Sequence, residues 1–297
     1  MAFHPSSGLS GLSGLSGLSG LSGLSGYAVA GSGAVLVRPI GICPAPEKAS
    51  GETWFRGFEW PPTDAPYPRA AIASYPRGAW GAPYLSIAIL AEFTHAEGWR
   101  DVALDDPPAP NSTQALAELA ELHELVEYRA GILAEAIAQS GSFLDYFAGL
   151  FGFGPASHPR TCDLAWAALR VGQFMAMRHK WRHERPRPSM VCPSLLPPID
   201  PPPHASYPSG HATEAQLVAL CLSEVMPTEA KVPLLAMAER IARSREVIGL
   251  HYRSDTIAGV ELAKKTAPLL MKCATVAQLV SDARVEWGLP PNPDPVP

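Results

Sequence analysis

The stretch "NSTQALAELAELHELVEYRAGILAEAIAQSG", residues 111–141, decides the fold class. Leu116, Leu119, Leu122, Val126 and Ile132 recur at the spacing that places side chains on one face of an α-helix. Asn111 or Ser112 stands where an N-cap oxygen is needed, and Gly141 closes the run. The later segments repeat this character: "GSFLDYFAGLFG" (141–152), "TCDLAWAALRVGQFMAMRHKW" (161–181, with Thr161 as cap), "HATEAQLVALCLSEVM" (211–226), "EAKVPLLAMAERIARSREV" (229–247) and "SDTIAGVELAKKTAPLLMKCATVAQLVSDARVEW" (254–287). No alternating strand pattern of any length competes. The expectation is an all-α fold, with a helical domain of five to seven helices over residues 111–288.

The rest of the chain is organised around that domain. Residues 1–26 hold a Gly-Leu-Ser repeat, read as a disordered leader because Gly opposes helix and a period of three builds no amphipathic face. A signal peptide is the rival reading, with "AVA" (28–30) as cleavage site, but no Lys or Arg precedes Arg38. Export therefore stays open, leaning towards a cytoplasmic location. Residues 27–110 are rich in Pro, Gly and aromatics, which predicts an irregular accessory segment, with a short strand near "AVLVRPIGI" (34–42). Residues 289–297 are a Pro-rich tail.

Composition narrows the function. The 297 residues are 47% hydrophobic and 17% charged, with net charge −5, which argues against nucleic acid as a partner. The apolar run Gly78–Ala91 is too short for a confident membrane span. Five scattered cysteines without a C-x-x-C pattern predict reduced, packed thiols. His179 and His183 have the i, i+4 spacing of metal ligands but lack an obvious third, so they are read as a surface pair. The oligomeric state is not legible; an oligomer is allowed.

Three clusters at helix ends carry the chemistry. In "KWRHERPRPSM" the prolines stop the helix, so Lys180 sits near its end and Arg187 in a stiff extended segment. Arg182, Arg185 and Arg253 are read as supporting or surface residues. In "SYPSGHATEAQ" Ser209 and Gly210 open a helix whose free N–H groups seat an anion, with His211 at the mouth. In "SREVIGLHYRSD" Arg245 ends a helix, Gly249 interrupts it, and Asp255 lies four residues after His251. That spacing lets the carboxylate accept from one imidazole nitrogen and leaves the other as a nucleophile.

The pattern Lys180-x6-Arg187-Pro188, Pro208-Ser209-Gly210-His211 and Ser244-Arg245-x5-His251-x3-Asp255 resembles the signature of the type 2 phosphatidic acid phosphatase superfamily. It is most similar to the soluble branch of class A acid phosphatases and vanadium haloperoxidases. The resemblance implies a helical bundle of that type and a phosphatase acting on a small phosphate ester. Lys180, Arg187, Ser209, Gly210 and Arg245 would bind phosphate. His251 would form a phosphohistidine, His211 would serve the leaving group and water, and Asp255 would orient His251. No metal or other cofactor would be needed. Two alternatives stay open: a haloperoxidase with vanadate on His251, and a phosphate-binding helical protein without turnover.

Overall fold

The computed structural model describes residues 75–292. They comprise the short stretch Tyr75–Trp80 and a helical unit from Gly81 onward. The Gly-Leu-Ser leader, the strand expected at 34–42, Cys43 and the end of the Pro-rich tail lie outside the described residues. In the short stretch, a 3-10 turn spans Arg77–Ala79 and the Tyr75 hydroxyl donates to the Ala79 carbonyl at 3.1 Å.

The helical unit opens with α1 (Ala82–His95), Pro83 sitting in its first turn where a missing N–H costs nothing. This corrects the expectation of irregular structure throughout 27–110. Residues 82–91 of the apolar run lie in this helix, which buries Pro83, Ser86, Ile89 and, beyond the run, Phe93, while Tyr84 and Ile87 are exposed. The run 111–141 is two helices, α2 (Thr113–Glu124) and α3 (Arg129–Gly141), joined by a 3-10 turn over Leu125–Tyr128. Ser112 is the N-cap, accepting from the Ala115 amide at 3.2 Å. Four residues wound at 3.0 rather than 3.6 per turn rotate the following face by roughly 80°. Leu122 can then pack with Leu195 and Tyr252, while Ala136 packs with Ile248 and Leu250.

α4 (Leu144–Phe151) follows, then α5 (Pro159–His183), α6 (Pro188–Val191) and α7 (Gly210–Val225). The unit closes with α8 (Lys231–Val247), α9 (Arg253–Leu270) and α10 (Ala274–Glu286). Thr161 is not the cap of α5. That helix begins at Pro159, and its free amides at Arg160 and Thr161 donate at 2.7 and 2.9 Å to the Glu286 carboxylate from the end of α10. Residues 111–288 thus hold nine α-helices rather than five to seven. The difference comes from the turn at 125–128, the proline-started α6 and the break at 271–273. No strand occurs among the described residues.

α7 is the centre, packed against α5, α8 and α9, with α1 and α10 outside α5. Leu217, Val218, Leu222 and Val225 of α7 are fully buried, worth about 1.5–3 kcal/mol each in transfer terms. Two glycines set how closely its start is held. A Cβ on Gly259 of α9 would lie 2.7 Å from the Ser209 carbonyl oxygen, and one on Gly172 of α5 would lie 3.1 Å from the Glu214 Cα. Cys162, Cys192, Cys221 and Cys273 are not joined in disulfides. Among the described residues no helix is long and apolar enough to cross a membrane.

Candidate active site

The chain enters the site through Gly249, whose φ of 77° is a left-handed value that a side chain disfavours. The turn ends α8 and aims His251 inward, where it is 4% exposed. Asp255, at the N3 position of α9, accepts from the Tyr252 amide at 3.1 Å and lies with Oδ2 3.0 Å from His251 Nδ1. Arg187 Nη1 sits 3.0 Å from the other ring nitrogen, Nε2. A guanidinium only donates, so Nε2 accepts and the ring proton is on Nδ1, donating to Asp255. Burial holds the imidazole well below its ordinary pKa, helped by Arg187, Lys180, His211 and His204. It is therefore neutral, with its nucleophilic lone pair on the side of the cations.

Two of those cations are fixed by main-chain carbonyls. Lys180 Nζ, in the last turn of α5, donates to the carbonyls of Ala205 and Ser206, both at 2.8 Å. Its ammonium pKa is pushed well down by burial and by Arg187. Arg187 donates to the carbonyls of His204 and Leu250, and burial lowers it to about 10. Ser209 caps α7, its Oγ accepting from the Ala212 amide at 3.4 Å, and Gly210 begins the helix. The first-turn amides of α7 present the donors and partial positive charge that suit an anion.

Arg245 and His211 are turned towards α3 in this state. All three guanidinium nitrogens of Arg245 donate within the protein: Nε to Ser244 Oγ, Nη1 to Ser140 Oγ at 2.7 Å, and Nη2 to the Ala136 carbonyl at 2.6 Å. His211 Nε2 is 3.3 Å from the Gln139 carbonyl, and burial, then Arg245, depress its pKa to about 3. The structure thus gathers His251, Asp255, Lys180, Arg187, Ser209 and Gly210 directly and places Arg245 and His211 on the α3 side.

Several residues at the site were not singled out from sequence. His204 contributes a third imidazole, with Nδ1 3.0 Å from Arg187 Nη2 and a pKa lowered to about 4, chiefly by burial. Ser206 donates to Asp255 Oδ2 at 2.5 Å. Glu214 lies beside Gly210 and Lys180, and burial raises its carboxyl to about 7. Arg185, read from sequence as a supporting or surface residue, takes the supporting place, buried behind Asp255. The His179–His183 pair is not a surface pair. His179 is 1% exposed and its ring stacks on that of His183, filling space between helices. Among the described residues no group of three His, Cys, Asp or Glu could hold a metal ion. The donor set suits an oxyanion instead. Phosphate, or vanadate as a cofactor, would meet Lys180, Arg187, Ser209, Gly210 and His251 Nε2.

Residues 161–278 match the family model of the PAP2 superfamily. The three motifs all fall inside the PAP2 segment, whereas α2 and α3, which supply Gln139 and Ser140, precede it. The chain is 29% identical over 139 residues to the decaprenylphosphoryl-5-phosphoribose phosphatase of Mycolicibacterium smegmatis, covering 44% of this chain and 73% of that protein. Two solved structures are similar to the chain in part. One is a bacterial vanadium-dependent iodoperoxidase (18% identity, TM-score 0.42), of which the match spans 54%, with 60% of this chain. The other is a transmembrane PAP2 type phosphatidylglycerolphosphate phosphatase from Bacillus subtilis (18% identity, TM-score 0.41), covering 64% of this chain and 94% of that one.

Proposed function

We propose that this chain is a phosphatase that hydrolyses small phosphomonoesters through a phosphohistidine on His251, without a metal ion. The observation that carries the reading is the state of His251: Nδ1 bonded to Asp255, Nε2 aimed into a ring of cations. The PAP2 match and the phosphatase relative support the reaction class.

The phosphate oxygens bind Lys180, Arg187, the Ser209 hydroxyl and the Gly210 amide, with Arg245 turning a donor from α3. Arg187 moves its N–H from Nε2 to an oxygen, which frees the lone pair. Nε2 attacks phosphorus, the P–O ester bond breaks, and His211 gives its proton to the leaving oxygen. The bound dianion offsets the cations that depress His211, so the imidazolium forms only when substrate is present. His211 then takes a proton from water, which attacks phosphorus and breaks the P–N bond. The fixed cations balance the charge that builds on the equatorial oxygens.

The test is turnover of p-nitrophenyl phosphate by purified protein with a chelator present, beside bromide oxidation with vanadate and peroxide. Phosphatase turnover is expected, with loss of several orders of magnitude in His251→Ala. Vanadate-dependent bromination without phosphate turnover, or an unaffected His251→Ala rate, would overturn the proposal.

A further inference from the structure

We propose that Glu118 and Arg185 are positioning residues that hold the His251–Asp255 pair from behind and set its affinity for protons; as a statement about catalysis, this rests on the reading of His251 as the reacting base. The argument is geometric. Asp255 is fully buried, and only one of its oxygens faces His251. The other, Oδ1, accepts from Arg185 Nη1 at 2.7 Å. Arg185 Nη2 donates to Glu118 Oε2 at 2.9 Å. Glu118 also accepts from the Ser254 amide at 2.7 Å and its hydroxyl at 2.9 Å, so it holds the first turn of α9, one residue before Asp255. The Arg185 guanidinium lies 3.8 Å over the Tyr252 ring, which leaves it one orientation. The result is a line of alternating charge through a buried region: Glu118, Arg185, Asp255, His251.

Such a line has a function that packing alone would not require. An apolar neighbour could fill the volume of Arg185, and a buried ion pair is costly to assemble. What the guanidinium adds is a fixed positive charge on the far side of Asp255, which restrains the pair from taking up a proton. Glu118 partly cancels that charge. Glu118 belongs to α2, ahead of the PAP2 segment, so the helices before residue 161 contribute to the reacting pair.

The sign can be tested because the two charges oppose each other. The charged and titratable groups facing His251 are Asp255 on α9, Lys180 on α5, Arg187, His204, and His211 on α7. Facing Asp255 are His251, Arg185, Lys180, Arg187, Tyr207 and Tyr252. Arg185→Met should move the acid limb of kcat/KM up by roughly one pH unit and lower kcat by up to about 100-fold. Glu118→Gln should move the limb down, by about half a unit. Arg185→Lys, which keeps the charge, should stay near the wild-type limb while losing kcat. Inhibition by inorganic phosphate should change less than about threefold in all three, since none touches the anion seat.

The experiment is the pH profile of p-nitrophenyl phosphate turnover for the full chain and these variants. Alongside it, the downfield proton resonance of His251 Nδ1–H is followed with pH in the absence of substrate. Limb shifts of opposite sign establish the inference; shifts of the same sign, or phosphate inhibition weakening in step with kcat, overturn it. If Arg185→Met does not fold, a limb shifted down in Glu118→Gln and unmoved in Arg185→Lys establishes the inference, and a limb unmoved or raised in Glu118→Gln overturns it. If the wild type shows no phosphatase turnover, the functional reading fails and the resonance decides this one. Opposite displacements of its titration in the two charge variants support the line, and an unmoved titration sinks it.

Discussion

At the scale of single residues, Glu214 is the least expected member of the site. A carboxyl within an oxyanion seat repels the ligand once ionised, and burial delays that ionisation to about pH 7. Lys180 and Arg170 are the cations facing it. Inhibition by sulfate, which does not titrate in this range, should therefore weaken as pH rises from 6 to 8, and Glu214→Gln should hold its sulfate affinity across it. A wild-type inhibition constant independent of pH would contradict this. Glu214 could not be read from sequence because a glutamate one turn into a helix is ordinarily solvated. Only the closeness of α5, permitted by Gly172, buries it. His251, Asp255, Lys180 and Arg187 were legible because proline, glycine and short spacing confine them locally. Arg185, His204 and Ser206 were not, since their partners are distant in sequence: Arg185 reaches Asp255 and Glu118, which lie 70 and 67 residues away.

At the scale of elements, the seat depends on how α7 meets α9. The Ser209 amide donates to the Asp255 carbonyl at 2.9 Å, so the anion seat and the carboxylate that aims His251 are tied through the main chain. Gly259 makes that approach possible, since its missing Cβ would overlap the Ser209 carbonyl. Gly259→Ala should cost about 1–3 kcal/mol, a fall of several degrees in Tm, and should weaken phosphate inhibition, because α7 must retreat from α9. An unchanged phosphate inhibition constant would mean that the seat does not depend on this contact. The helical character of residues 111–288 was legible from periodicity. The breaks were not: the turn at 125–128 carries no Gly or Pro, and its cause is the need of two helix faces for different partners. α1 was hidden by its surroundings, a helical stretch set within a Pro-rich segment.

At the scale of the whole molecule, the fold keeps several histidines neutral. Burial lowers His179 and His204 to about 4, His211 to about 3, and His251 well below its usual value. Below pH of about 6.5 the unfolded chain takes up protons at these sites and the folded chain does not, so stability falls with pH towards about 4. Asp163, Glu214 and Glu246, raised chiefly by burial, act in the opposite sense. His183 is lowered as well, so the histidines outnumber the raised acids and the net effect of acidification is a loss of stability. Urea midpoints should drop between pH 7 and 5.5; a flat midpoint would show that the histidines titrate normally. One contact described above also bears on how the resting molecule meets its surroundings. With Arg187 donating to Nε2, the reactive nitrogen is already occupied, and an uncharged electrophile offers the guanidinium nothing in exchange. Only a ligand with a better acceptor for Arg187 uncovers it. On the proposed reading of His251 as nucleophile, this contact favours anions before any substrate pocket is consulted, and the resting ring should react slowly with neutral alkylating or acylating reagents.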